Sequence, residues 1–197
     1  MNKTTARTYP RILSVADEEF EIRYMRAADE AAVSRFARAL PAHDLLFMRR
    51  DITAPKVMAA WLQSLKDGSV TTLLALKDGH VRGCAAIIRD ELSWSPHVGE
   101  MRLVVDAAIR GKGLGRALMQ ECFAVALELG VEKLTAYMTA DQAAAIAVFE
   151  DFGFHAEAML SEHVRDRDGN KFDVVMLSHD VNKFLARMEI FGAGNAE

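Results

Sequence analysis

The sequence predicts a single domain of interleaved strands and helices, α/β or α+β in class. Three observations carry that prediction. Segments with apolar residues at helical spacing alternate along the chain with short β-prone runs. Asp78-Gly79 joins two such runs, and Asp-Gly between β-prone segments is a strong hairpin signal. An apolar run at residues 101–105 feeds a glycine-rich turn, Arg110-Gly111-Lys112-Gly113-Leu114-Gly115-Arg116, which opens into a long amphipathic segment.

Taken in order, residues 1–19 are polar and mixed in charge and read as a flexible lead-in. Residues 20–25 alternate as a short strand. Asp29 is placed to cap a helix running to about residue 40, with Ala32, Val33, Phe36, Ala37 and Leu40 on one face, and Pro41 stops it. Residues 42–53 are irregular. A helix over 55–66 starts on Pro55, a residue suited to the first helical position, and turns Val57, Met58, Trp61, Leu62 and Leu65 inward.

The hairpin pairs residues 70–76 with 81–89. Ser95-Pro96 breaks the chain before a strand over 97–105. The helix after the glycine turn ends at Gly130, a good residue just past a helix C-terminus. Residues 134–138 form a further strand. Asp141 is placed to cap a helix that ends at Gly153, and residues 154–165 and 172–179 form a last hairpin around Arg167-Asp168-Gly169-Asn170. A terminal helix over 180–190 and a flexible tail over 191–197 complete the reading, so residues 20–190 make one domain. At 197 residues the chain is long enough for one sizeable core.

Bulk properties exclude several classes. The formal net charge of −4 argues against a duplex nucleic-acid binder, which needs a basic face. No apolar run approaches a membrane span, and the first residues lack the apolar core of a signal peptide. Cys84 and Cys122 have neither metal nor redox spacing, and a reduced, cytoplasmic protein is expected. His155, His163 and His179 have no metal spacing either, so no metal site is expected.

The glycine turn carries the chemistry. The first N–H groups of a helix have no partner within it, and they share the positive end of the macrodipole. A strand, a glycine turn and a helix N-terminus together form an anion site. Gly111, Gly113 and Gly115 let the backbone approach a phosphate closely, and Arg110, Lys112 and Arg116 add charge. The turn lacks the Gly-Lys-Ser/Thr ending of a nucleoside-triphosphate loop.

The loop matches the Gln/Arg-x-x-Gly-x-Gly/Ala pattern of the GNAT superfamily of acyl-CoA-dependent N-acyltransferases. Leu103-Val104-Val105-Asp106 stands the usual short distance before it. The run from Ala145 to Phe154, ending Phe152-Gly153-Phe154, resembles the family's closing helix. The resemblance covers about residues 20–180. It implies a central mixed, mostly antiparallel sheet with helices on both faces, splayed between the strand before the glycine loop and the next strand.

It further implies that acetyl-CoA is the acyl donor and that a primary amine attacks it directly. Cofactor contacts would come from Leu103, Val104 and Val105 and from Arg110, Gly111, Lys112, Gly113, Leu114, Gly115 and Arg116, joined by Gln142 and Phe149. Many family members carry a tyrosine on the closing helix that protonates the departing thiolate. Phe149 stands there instead and cannot, which leaves Tyr137 as a substitute acid or as a strand aromatic packed on a neighbour. Glu100 is the candidate base, or a strand carboxylate paired with Arg102 on the same face. Arg49 and Arg50 fall where the family builds its acceptor pocket, and either hold a substrate carboxylate or are solvated. The acceptor is expected to be a small-molecule amine or amino group, and the final strands offer a surface for a homodimer. An acyl-CoA-binding module without transfer activity, acting as a sensor or interaction protein, is the alternative that Phe149 motivates.

Overall fold

A computed structural model describes residues 7–181. Eight strands form one sheet in the order β1-β2-β3-β4-β5-β6-β8-β7. The strands are β1 (Arg11–Val15), β2 (Glu18–Tyr24), β3 (Val70–Lys77), β4 (His80–Ile88), β5 (Val98–Val105), β6 (Lys133–Thr139), β7 (His155–Arg165) and β8 (Lys171–Asp180). The helices are α1 (Glu30–Ala39), α2 (Pro55–Asp67), α3 (Leu114–Glu128) and α4 (Ala143–Asp151). All strand pairs are antiparallel except β5 with β6. The expected mixed, mostly antiparallel sheet is the observed one. Among the described residues no helix is long and apolar enough to cross a membrane.

Alternation along the strands sends apolar side chains to both faces of the sheet. On one face Ile22, Leu73, Ile87, Met101 and Leu134 pack under Leu118, Met119, Cys122 and Phe123 of α3 and Phe149 of α4. On the other, Leu74, Cys84 and Val104 pack under Val33 and Phe36 of α1, Met58 of α2, and Leu45 and Met48 of a 3-10 segment, Ala42–Met48. Gly83 lets α3 lie close on β4: a Cβ there would come within 2.7 Å of Leu118 Cδ1. The β3–β4 turn is built as expected, with Asp78 and Gly79 both at positive φ (51° and 73°).

Three local expectations are corrected. The residues read as a loose lead-in instead supply β1, which pairs with β2 from Arg11↔Ile22 to Val15↔Glu18. The buried carboxylate of Glu121 on α3 anchors this segment. Arg7 reaches it at 2.6 Å and Arg11 at 3.5 Å, and the Tyr9 hydroxyl donates to it at 2.8 Å. Asp29 precedes α1 but does not cap it with its side chain; the carboxylate turns back to Arg23 and to the Arg26 N–H. Asp141 likewise leaves the start of α4 to Gln142 and pairs with His43. The expected terminal helix over 180–190 lies almost wholly outside the described residues, as does the tail.

A buried carboxylate stripped of its countercharges is strongly destabilising. Arg7→Ala combined with Arg11→Ala is expected to lower stability by about 3 kcal/mol in urea denaturation. Glu121→Leu, which removes the charge and keeps the volume apolar, should lose less. The opposite ranking would show that the arm is held by something other than this carboxylate.

Candidate active site

The ladder between β5 and β6 lasts for three residue pairs: Val98↔Lys133, Gly99↔Leu134 and Glu100↔Thr135. Beyond Glu100 the two strands diverge. The Asp106 N–H bonds the Arg82 carbonyl on the β4 side. By alternation, Leu103 and Val105 turn their main-chain groups toward the opening, where no strand covers them. The Val105 carbonyl there accepts Nε and Nη2 of Arg110, both at 3.3 Å.

The glycine turn lies at the mouth of this opening. Asp106 accepts the Ala108 N–H and holds a 3-10 turn, Ala107–Ile109. Gly111 and Gly113 then take φ values of 74° and 95°, a backbone region that disfavours side chains. Leu114 is buried and fastens the start of α3 to the core. Among the described residues, the N–H groups of residues 111–116 have no hydrogen-bond acceptor. These are the donors that a phosphate group would fill.

The cations of the turn are not free. Nη2 of Arg110 donates to the Asp44 carboxylate. Nζ of Lys112 donates to Glu18 at 2.9 Å, and Lys77 holds the other Glu18 oxygen at 2.7 Å. The Arg116 guanidinium lies over the Phe152 ring at 5.0 Å. The hydrogen bonds from Lys77 and Lys112 hold the Glu18 carboxyl down at about 2.

Across the opening, Gln142 stands at the start of α4, and its side-chain oxygen is buried with no hydrogen-bond partner among the described residues. A buried acceptor of this kind is costly unless something donates to it. Phe149 is buried against Phe154, with ring centroids 4.9 Å apart, and contributes packing rather than a polar group.

Glu100 and Tyr137 share the sheet face opposite α3, because Glu100 pairs with Thr135, two residues before Tyr137. Arg49 joins them. Its Nη1 donates to Glu100 Oε2 at 3.2 Å, and its guanidinium lies 5.0 Å from the centre of the Tyr137 ring. Glu100 Oε1 accepts Arg102 Nε at 2.6 Å, and Arg102 also donates to the Met48 carbonyl. The pairing with Arg102 that alternation allows is present, and Arg49 adds a second guanidinium to the same carboxylate. Arg49 adopts a left-handed φ of 58°, uncommon for a residue with a side chain and frequent at ligand sites.

Sequence reasoning missed His43. Its Nε2 lies 3.0 Å from Asp141 Oδ2 and 3.5 Å from Thr139 Oγ1, and its ring packs edge-on against Phe172. No local pattern could have paired residues so far apart in the chain. The two cysteines are buried; burial pushes the Cys84 thiol up to about 12 and raises that of Cys122 as well, so neither offers a thiolate.

In this protein the sheet splits between parallel strands and a donor-lined helix start lies at its mouth, an arrangement suited to an extended, phosphate-bearing ligand. The comparisons place it further. The model of the Acetyltransferase (GNAT) family matches residues 34–154, and the chain belongs to that family. A Bacillus subtilis protein named "Putative phosphinothricin acetyltransferase YwnH" is 32% identical over 83 residues, 42% of this chain. That match spans half the length of the Bacillus protein. Among solved structures, a GNAT-family acetyltransferase from Streptococcus pneumoniae superposes with a TM-score of 0.71 at 22% identity, covering 82% of this chain and 99% of its own. A spermidine N-acetyltransferase from Vibrio cholerae, solved in complex with CoA and spermine, gives 0.71 at 15% identity, covering 84% and 98%. At such identities the structural likeness is one of fold.

Two measurements test the loop. Gly113→Val places a branched side chain at positive φ beside the open amides, at a strain cost on the order of 2 kcal/mol. The variant is expected to stay folded by circular dichroism and to lose coenzyme A binding in calorimetry; unchanged binding would remove the loop from the site. Glu18→Gln should lower the thermal midpoint at neutral pH. A carboxyl held below its ordinary 4.5 stabilises above that pH, and the contribution is lost as pH falls toward about 2. The gap between the two proteins should therefore close in acid, and narrow in high salt.

Proposed function

We propose that this protein is an N-acetyltransferase that moves the acetyl group of acetyl-CoA to a primary amine. The observation that carries the reading is the conjunction of the open β5–β6 splay, the unfilled N–H groups of residues 111–116 and the partnerless buried oxygen of Gln142. A diphosphate fits the first set of donors. An amide-bearing arm would pair with the main chain of Leu103 and Val105, and the Gln142 oxygen would accept a hydrogen bond from the cofactor. Family membership supports the same choice of donor, as does the CoA in the Vibrio cholerae neighbour.

Bound acetyl-CoA supplies an activated thioester: the C–S bond is exchanged for a C–N bond, and of the two protons the ammonium loses, one ends on the thiol. The protein's own groups position the amine and handle those protons. Glu100 receives the ammonium on its Oε2 side, taking the place of Arg49 there, and accepts the proton. Tyr137, whose hydroxyl bonds to no group among the described residues, supplies a proton to the thiolate in place of the hydroxyl that Phe149 lacks. A thiolate leaves readily near neutral pH, so this last contribution is the smaller one.

Turnover of acetyl-CoA against a broad amine panel, beside calorimetry with coenzyme A, tests the reading. Glu100→Gln is expected to lower kcat about 100-fold. Tyr137→Phe is expected to lower it about tenfold, below the usual range for acid–base catalysis. If Glu100 only holds Arg49 and Arg102, its loss will raise KM for the amine and spare kcat. Coenzyme A binding without turnover of any amine would return the binding-module reading.

A further inference from the structure

Resting on the acetyltransferase reading, we infer that the acceptor amine also carries an anionic group, of the carboxylate or phosphonate type. A cavity of about 370 Å3 opens between the Ala42–Met48 segment and the tip of the β7–β8 hairpin. Arg49 forms one of its walls and touches both Glu100 and Tyr137, so the cavity adjoins the two groups assigned to the chemistry.

The charges lining the cavity are unevenly satisfied. Asp51 accepts Thr53 on one oxygen and Arg167 at 2.6 Å on the other. Asp166 accepts the N–H groups of Asp168 and Asn170 on one oxygen and the Asn170 amide on the other. Arg167 also donates to Thr53 Oγ1, which ties the hairpin tip across the cavity. Both carboxylates are thus consumed in building the walls. Arg50 and Arg165 line the same cavity, and neither has a hydrogen-bond or ion-pair partner among the described residues.

An amine acceptor is a cation before it reacts. A site selecting for cationic character alone, as for a polyamine, would leave carboxylates open toward the cavity. Here the open charges are guanidiniums, whose forked donors match a carboxylate or phosphonate. The acceptor's anion sits on Arg50 and Arg165, and its ammonium points past Arg49 to Glu100.

The test uses the full chain, acetyl-CoA and matched acceptors: amino acids against their carboxamides, 2-aminoethylphosphonate, and spermidine. Anionic acceptors are expected to exceed the carboxamides and spermidine at least about tenfold in kcat/KM, an advantage that shrinks with added salt. Arg50→Ala and Arg165→Ala should each raise KM for the anionic acceptor by about 10- to 100-fold, with kcat and the KM of the carboxamide nearly unchanged. Equal use of carboxamides, preference for spermidine, or unaltered KM in both variants overturns the inference while leaving the acetyltransferase reading intact. A chain that acetylates no amine in the panel overturns both.

Discussion

The early end of the β5–β6 ladder is the constraint on which the rest depends. Parallel strands that stay paired leave no room between them; these two part after Glu100↔Thr135 and leave half of β5 with main-chain groups facing an opening. Unpaired backbone inside a fold is costly, and proteins tolerate it where something else fills the gap. The glycine turn, the start of α3 and the start of α4 all lie where that gap widens. Its position follows from the strands themselves, because β5 and β6 run the same way and their ends carry the loops that lead into α3 and α4. Ligand sites of α/β sheets gather at the C-terminal ends of such strands for the same reason.

A gap of this kind has to be kept open without pulling the sheet apart. The segment from Ala42 to Arg49 performs that task by bonding to both sides. On the β5 side Asp44 holds Arg110, and the Met48 carbonyl holds Arg102. On the β6 side His43 meets Asp141 and Thr139, and Arg49 lies over Tyr137 while bonding Glu100 of β5. Leu45 and Met48 on the same segment are buried in the core, so the lacing is anchored by apolar packing as well as by charge. The side chains on this side of the gap are thereby fixed by a short 3-10 segment rather than by an α-helix or a strand.

Much of the fold was legible because its signals are local. Asp78-Gly79, Pro55, Gly130 and the apolar periods of α1, α2 and α3 each act within a few residues, and each element stands close to where the sequence put it. The glycine turn was legible for the same reason. The Glu100–Arg102 pair was legible, being two residues apart on one strand; the partners of charged groups far apart in the chain were not. Asp29 and Asp141 look like helix caps until Arg23 and His43 draw their carboxylates away. Residues 11–15 look like a tail until β2 and Glu121 hold them, the second from 110 positions away for Arg11. Glu100 and Arg102 share a strand face, as alternation puts them, but Arg49 reaches Glu100 from 51 residues upstream, and no spacing rule connects them.

The glycine turn shows how such distant partners change a reading. By sequence it is a concentration of positive charge: three cations beside a helix N-terminus that is itself the positive end of a dipole. Left alone, those charges would repel one another and the helix start. The fold answers with carboxylates from two other elements, Glu18 between Lys77 and Lys112, and Asp44 on Arg110, and with the Phe152 ring under Arg116. Charge attraction at the turn is therefore largely balanced within the protein. The open N–H groups are not, since no side chain among the described residues reaches them. On the acetyltransferase reading, recognition at this turn thus falls to the backbone, and the positive φ of Gly111 and Gly113 matters more to it than the identity of the basic residues around them.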